Sequence, residues 1–315
     1  MNGPLLNDSY EPFSREPEYI EVNRLFIENL NLSPGTQVLD LACGTGTLSA
    51  LLLEQLDRKR AVSGKCGSEP LADIIGADLS LQSLKLAKEY LGEFVISSRH
   101  RVHWMQASAE QIPLPSACVK VVMIGNAIQL FENKPRVVRE VARVLVDGGT
   151  LAFNTSFYAG CYVPGTERVY LRWVQEAISY INKKNAELRR QGEIGAGRKK
   201  GTTRPAFSNP WLSPRDYKDL LARNGFEVTG VKQRTVLLTQ RSLETIGAYA
   251  GLAGILLSGY PLGLACEALA AAAEPTLQAF SLDSVPRYWI EFVAVKCASA
   301  RADHEYEGVH ANVSQ

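Results

Sequence analysis

The chain has 315 residues, 46% hydrophobic and 21% charged, which is enough apolar material for a sizeable core. Its 34 Lys and Arg balance 33 Asp and Glu, so no global positive field gathers nucleic acid, and a polynucleotide substrate is not expected. The six cysteines (Cys43, Cys66, Cys118, Cys161, Cys266, Cys297) are scattered, without a Cys-x-x-Cys pair or a histidine at ligand spacing, which argues for a reducing, cytoplasmic setting and against a structural metal.

Residues 1–18 carry acids and the prolines Pro4, Pro12 and Pro17 where a signal peptide needs a basic head and an apolar run, so no export signal is read. Tyr19, Ile20, Leu25, Phe26, Ile27 and Leu30 then recur at helical spacing. Ser33-Pro34-Gly35 ends that helix, and residues 36–41 read as a short buried strand running straight into a glycine turn. From Leu48, the residues Leu51, Leu52, Leu53 and Leu56 predict a helix, with a polar surface insertion from Asp57 to Pro70. A second strand over 74–78 ends in Asp78 and leads into a helix through Leu81, Leu84, Leu86 and Ala87. Strands follow at 101–106, 119–124 and 150–154, the last preceded by a helix carrying Val137, Val138, Val141 and Val144. Such alternation requires an α/β fold with a parallel sheet covered on both faces, because each parallel crossover needs a helix to bring the chain back.

After Asn154 the alternation breaks into a helical stretch over 169–183, a glycine-rich basic run to Arg204 and a helix near 215–224. Strands at 226–232 and 288–296 bring the sheet to seven, and an apolar helical insertion, 243–280, lies between them. Residues 1–298 thus read as one domain: an N-terminal arm and helix (1–30), a ligand-binding core (31–155), a helical and basic insertion (156–225), and the last two strands (226–298). The tail, 299–315, has a disordered composition. Thr245 to Cys266 contains no charged residue, and these 22 residues at roughly 1.5 Å rise could nominally cross a bilayer core. Its five glycines and Pro261 weigh against a span, as does its place between two strands of one sheet. A lid over an apolar pocket is the preferred reading, with peripheral membrane contact the second. The basic run, Lys183-Lys184, Arg189-Arg190, Arg198-Lys199-Lys200 and Arg204, could meet anionic lipid or a substrate phosphate, although its glycines favour a solvated loop.

Asp40-Leu41-Ala42-Cys43-Gly44-Thr45-Gly46 stands between a strand and a helix, where missing Cβ atoms let backbone approach a ligand. The spacing Gly44-x-Gly46-x-x-Ser49 lacks the third glycine of a dinucleotide fingerprint, which disfavours a nicotinamide enzyme. Asp78, closing the next strand, is placed to accept hydrogen bonds from both hydroxyls of a ribose.

Residues 38–46 (Val-Leu-Asp-Leu-Ala-Cys-Gly-Thr-Gly) resemble the first motif of class I methyltransferases, particularly those similar to ubiquinone-pathway and other small-molecule enzymes. Residues 107–113 (Ala-Ser-Ala-Glu-Gln-Ile-Pro) resemble that family's adenine-binding segment, and residues 139–149 its helix and turn before the fifth strand. The resemblance implies a Rossmann-like, mostly parallel seven-stranded sheet, S-adenosyl-L-methionine as cofactor, and a small lipophilic acceptor of quinone, polyketide or terpenoid type. It implies cofactor contacts from Asp40, Ala42, Gly44 and Gly46 around the methionine part, Asp78 on the ribose, Leu79 against adenine, and Ser108 and Ala109 at the adenine edge. Asn126 would turn its backbone carbonyl to the methionine amino group. Position 108 usually carries Asp in these relatives, so a neutral hydroxyl here weakens the adenine contact.

A sulfonium donor is already activated, so alignment and exclusion of water are the main demands, and no catalytic base is assigned. His100 and His103 begin the third strand, at the edge opposite the expected site, and His304 and His310 belong to the tail. Tyr158, Tyr162 and Tyr170 are placed to line an acceptor pocket, and Tyr10, Phe13 and Tyr19 to cover the cofactor. Gly125-Asn126-Ala127-Ile128 lacks the Asn-Pro-Pro-aromatic motif of amino-methylating DNA and glutamine enzymes. A non-catalytic, membrane-associated binding protein keeping the fold is the competing reading.

Overall fold

Short runs at 37–41, 73–78 and 119–125, rich in Val, Ile and Leu and bounded by polar or glycine residues, are too short for helices and too apolar at their centres for an open face, so the first pairs with the other two in the middle of a sheet. The computed structural model describes residues 10–30, 32, 35–63, 72–98, 100–197 and 211–298. Residues 1–9, the end of the polar insertion, the segment 198–210 and the tail 299–315, with the readings made on them, lie outside the described residues.

In chain order the elements are α1 (Glu11–Ser14), α2 (Pro17–Asn29), β1 (Gln37–Leu41), α3 (Thr47–Ser63), β2 (Asp73–Asp78), α4 (Leu81–Ser98), β3 (Arg101–Gln106), β4 (Val119–Gly125), α5 (Lys134–Val144), β5 (Leu145–Thr155), α6 (Glu167–Arg190), α7 (Pro214–Ala222), β6 (Phe226–Thr239), α8 (Gln240–Gly247), α9 (Ala250–Leu256), α10 (Leu262–Ala271), α11 (Ala273–Ala279) and β7 (Ser284–Lys296). The sheet order is β3-β2-β1-β4-β5-β7-β6. The first five strands are parallel, with Val38 opposite both Ile74 and Val121, and β7 runs antiparallel to β5 and β6. The strand order turns at β1 and β4, which leaves a crevice at their carboxyl ends.

The two faces of the sheet have separate cores. Phe26, Ile27, Leu52 and Leu53 pack α2 and α3 on one face, and Val137, Val141, Tyr217 and Leu221 pack α5 and α7 on the other. Arg234 and Glu291 form a buried ion pair on β6 and β7, and Asn29 Nδ2 donates to the same carboxylate at 3.2 Å, tying α2 to the last strands.

Three elements differ from their sequence expectations. α3 continues through Asp57–Ser63, because that polar stretch consists of good helix formers and meets no glycine before Gly64. Strands β6 and β7 are longer than expected, since residues 233–239 pair with 284–290 past the point where their apolar runs fade. The insertion 243–280 folds as α8–α11 and forms a third core with Trp173, Ala177 and Ile181 of α6. Among the described residues no helix is long and apolar enough to cross a membrane. Its glycines have a packing use: a Cβ at Gly247 would stand 2.9 Å from the Trp173 ring and 3.0 Å from the Leu269 backbone. Within the basic run, Lys184 is engaged with Glu267 of α10.

Candidate active site

The loop leaving β1 takes the left-handed conformation three times, at Ala42 (φ 58°), Gly44 (φ 54°) and Gly46 (φ 83°), which winds it tightly at the crevice. The loop is fastened from β2: Cys43 N donates to Ala77 O at 3.1 Å, and Gly44 N to Asp78 Oδ2 at 2.9 Å. The two glycines differ in use. A Cβ at Gly46 would meet Leu91 Cδ1 at 2.6 Å, whereas one at Gly44 would meet no protein atom within 4 Å. Gly46 permits packing, and Gly44 leaves open a face toward the crevice.

Two acids stand beside this loop. Asp78 accepts from Gly44 N and, through Oδ1, from Ser80 N at 2.8 Å, and each oxygen keeps a lone pair for a further donor. Asp40, in the middle of the sheet, is 1% exposed. Its Oδ2 accepts from Ser49 Oγ at 2.7 Å, while Oδ1 has no hydrogen-bond partner. Burial pushes its carboxyl up to about 7, the charge of Asp78 adds to the rise, and the Ser49 hydrogen bond opposes it.

Asn126 follows β4 with φ 47° and connects several elements. Its backbone N–H donates to Asn154 Oδ1 at 2.9 Å, its side-chain Nδ2 donates to Tyr10 Oη at 2.5 Å, and its Oδ1 accepts from Ser156 N at 2.8 Å. Its carbonyl, assigned above to a ligand amino group, already accepts from Gln129 Nε2 at 2.6 Å.

These residues enclose a hollow of about 230 Å³. Asp40, Ala42, Gly44, Asp78 and Asn126 line it, together with Tyr10 and Tyr19 from the N-terminal helices. Gly46, Leu79, Ser108 and Ala109 do not line it. Gly46 packs behind the loop, and Leu79 is 71% exposed just past Asp78. Ser108 Oγ accepts from Glu110 N at 3.2 Å within its own turn, one residue past Ala107, whose N–H donates to Asp78 O. Sequence reasoning missed Gln129 and Tyr249 in the wall. The Gly125–Ile128 reading stopped one residue short of Gln129, and Tyr249 was subsumed in the apolar insertion.

A second hollow of about 260 Å³ lies alongside. Its wall includes Trp173, Trp211 and Trp289, and Leu243, Ile246 and Leu252 of the insertion. Tyr162 and Tyr170 line it and so does Phe13, whereas Tyr158 is directed to Gln233, donating to its Oε1 at 3.0 Å. His100 sits at the opposite end of the sheet, where its Nδ1 accepts from Ala72 N at 3.1 Å and burial lowers its pKa. His103 is exposed on β3.

A model of the ubiE/COQ5 methyltransferase family matches residues 21–187, more than half of the chain. A demethylmenaquinone methyltransferase of Listeria welshimeri is 28% identical over 148 residues, covering 46% of this chain and 56% of that protein. A ubiquinone/menaquinone biosynthesis C-methyltransferase of Shewanella pealeana is 33% identical over 128 residues, 41% of this chain and 45% of that protein. The chain spans about half the length of the curated relatives it matches. Among solved structures, the Bacillus halodurans protein BH2331 is similar with a TM-score of 0.52 at 16% identity, covering 88% of this chain and 100% of that one. The cyclase SpnF is similar with a TM-score of 0.51 at 19% identity, covering 89% and 82%. At these identities the structural likeness speaks to the fold alone, and a fold of this kind hosts more than one chemistry.

Proposed function

The chain belongs to the ubiE/COQ5 methyltransferase family, and we propose that it catalyses S-adenosylmethionine-dependent methyl transfer to a small lipophilic acceptor, with a quinone-like molecule the first candidate. The observation that carries the reading is the buried, unpartnered Asp40 Oδ1 in one hollow with the open face of Gly44. A buried acceptor left unsatisfied costs roughly 1–3 kcal/mol, and a ligand ammonium arriving there removes the cost. The amino-acid end of S-adenosylmethionine carries such a group, so these residues fit it.

In this reading Asp40, Ala42 and Gly44 surround the amino-acid end, Gly46 backs the loop against Leu91, and Asp78 accepts from the ribose hydroxyls with the lone pairs left by Gly44 and Ser80. Leu79, Ser108 and Ala109 flank the adenine at the outer lip, past Asp78. Asn126 carries out its role mainly by holding Tyr10 and Ser156 in the walls, since its carbonyl is shared with Gln129. Bound there, the cofactor supplies a methyl group on a positively charged sulfur and so needs no further activation. The chain's own contribution is to orient the acceptor and exclude water, tasks for which the second hollow and its covering helices α8 and α9 are suited. The quinone-pathway names of the Listeria and Shewanella relatives support a lipophilic acceptor, as does the apolar wall.

Titration calorimetry with S-adenosylhomocysteine tests the reading, with NAD as the control. Binding in the micromolar range is expected for the first and none for the second, and Asp78→Ala should weaken it about 10- to 100-fold, the worth of charge-assisted hydrogen bonds. Transfer of labelled methyl to a short-chain demethylated quinol separates an enzyme from a binding protein. No S-adenosylhomocysteine binding at millimolar concentration would refute the proposal.

A further inference from the structure

Arg287 of β7 is 6% exposed, yet no carboxylate is among its partners. Its Nε donates to Ser156 O at 2.9 Å, Nη2 points to Cys161 Sγ at 3.2 Å, and the neutral Tyr170 hydroxyl is a further hydrogen-bond partner. Four rings surround the guanidinium: Phe157, Tyr162, Tyr170 and Trp211, with centroids 5.2, 5.0, 5.3 and 5.9 Å from Cζ. The half-buried Arg234 on the neighbouring strand has Glu291. Glu167, the one acid among the described residues in the wall of the second hollow, accepts from Gly165 N instead.

A guanidinium stays charged throughout the working range of proteins, and burying a charge costs several kcal/mol unless it is compensated. Aromatic faces return part of that cost, so the cage makes the cation tolerable without neutralising it. A second polar group in the same wall is also unsatisfied: the indole Nε1–H of Trp289, 1% exposed, has no acceptor. A cation without a carboxylate counter-ion and a donor without an acceptor both call for oxygen, and the rest of the wall, Ser156 and Glu167 aside, is apolar and aromatic. We propose that the second hollow binds a flat hydrophobic molecule bearing an anionic oxygen group, carboxylate or aryl oxide, anchored on Arg287.

The identification of this ligand as the methyl acceptor rests on the function proposed above; the binding itself does not. The anchor stands at the wall shared by the two hollows. Ser156, whose carbonyl takes Arg287 Nε, donates its own N–H to Asn126 Oδ1 in the first hollow. The Tyr10 hydroxyl, which lines the first hollow, lies within electrostatic reach of Arg287. An oxygen held on Arg287 is thereby kept ionised beside the first hollow, which supplies by position what a catalytic base would otherwise have to do.

The test is calorimetric titration of the full chain with 2-naphthoate, 2,4-dinitro-1-naphtholate and the neutral isostere 2-naphthamide. At least one anion should bind tenfold or more tightly than the amide. That preference should shrink below about threefold in Arg287→Leu and survive largely in Arg287→Lys. Equal binding of anions and amide to the unaltered protein would overturn the proposal, as it would if the Cys161 sulfur were already the counter-ion, and so would no binding of any probe at millimolar concentration. This comparison needs no variant, so it holds even if Arg287→Leu fails to fold. S-adenosylhomocysteine titrated in parallel separates the two ideas: its binding without an anion preference sinks the anchor alone, and an anion preference without its binding sinks the methyltransferase reading alone.

Discussion

Asp40→Asn should stabilise the protein at alkaline pH and leave it unchanged in acid. Burial pushes the Asp40 carboxyl up to about 7, from 3.8 in an exposed chain, with Asp78 adding to the rise and Ser49 opposing it. Between these two values the folded chain holds a proton that the unfolded chain has released. Stability therefore falls as pH rises from about 4 to about 7, and no further above that. At about 1.4 kcal/mol per pH unit the loss approaches about 4 kcal/mol as an upper limit. Asparagine keeps the shape of the neutral acid and carries no such penalty. For a chain of this size, with an unfolding entropy of about 2.1 cal/mol/K per residue, 4 kcal/mol corresponds to about 6 °C in Tm. Thermal melts of both proteins without ligand should lie within about 2 °C of each other near pH 4.5, where about 1 kcal/mol is lost, and separate by several degrees by pH 8.5. Melting curves that stay parallel across that range would show that Asp40 does not hold a proton in the fold.

The same carboxyl couples binding to pH. Affinity for S-adenosylhomocysteine should rise as pH approaches 7, by at most about tenfold per unit, because Asp40 must ionise to pair with the ligand ammonium; calorimetry in buffers of contrasting ionisation heat should register proton release. Gly46→Ala should lower stability by about 2–4 kcal/mol, from the contact with Leu91 and the left-handed backbone, whereas Gly44→Ala should cost only about 1–2 kcal/mol of strain and abolish ligand binding. Thermal melts and titrations on the two variants should give opposite rankings, and a shared ranking would mean that Gly44 does not face ligand. Asn126→Gly relieves the left-handed backbone but removes the bonds to Tyr10 and Ser156, so it should weaken binding while being less destabilising than Asn126→Ala; equal stability of the two variants would count against strain at this position.

The sheet was legible because its strands announce themselves. Residues 37–41 and 119–125 are mostly apolar, broken only by Gln37, Asp40 and Lys120 before the closing Gly125, and β1, β2 and β4 each lead into a glycine or an acid at their carboxyl ends. Asp40, Gly44 and Asp78 could be placed in one crevice by that logic alone, since successive parallel strands deliver their ends to one edge. Less visible were contacts between distant segments. Tyr10 meets Asn126 across 116 positions, and Arg287 meets Ser156 across 131. No periodicity encodes such pairings. Arg287 did carry a signal, as the one charged residue among Val285, Pro286, Tyr288 and Trp289, but the strand was read as starting just after it. The helix α3 was misjudged in length because composition was weighed as exposure, although Arg58 and Lys59 favour helix while facing water.

The two hollows are complementary in charge, and the wall between them explains why both imbalances persist. Asn154 Nδ2 donates to Asn23 Oδ1, Asn126 N to Asn154 Oδ1, Ser156 N to Asn126 Oδ1, and Arg287 Nε to Ser156 O. Links of this kind inside a protein are worth more than in water when every partner is met, and they hold the shared wall in one arrangement. At either side of that wall a group remains unmatched: the Asp40 oxygen at the first hollow and the Arg287 charge at the second. Filling either hollow with an apolar side chain would relieve nothing, because each imbalance is electrostatic. A ligand with a cationic end beside Asp40 and a ligand with an anionic oxygen on Arg287 satisfy both at once, and they do so with the two ligands set against a common partition.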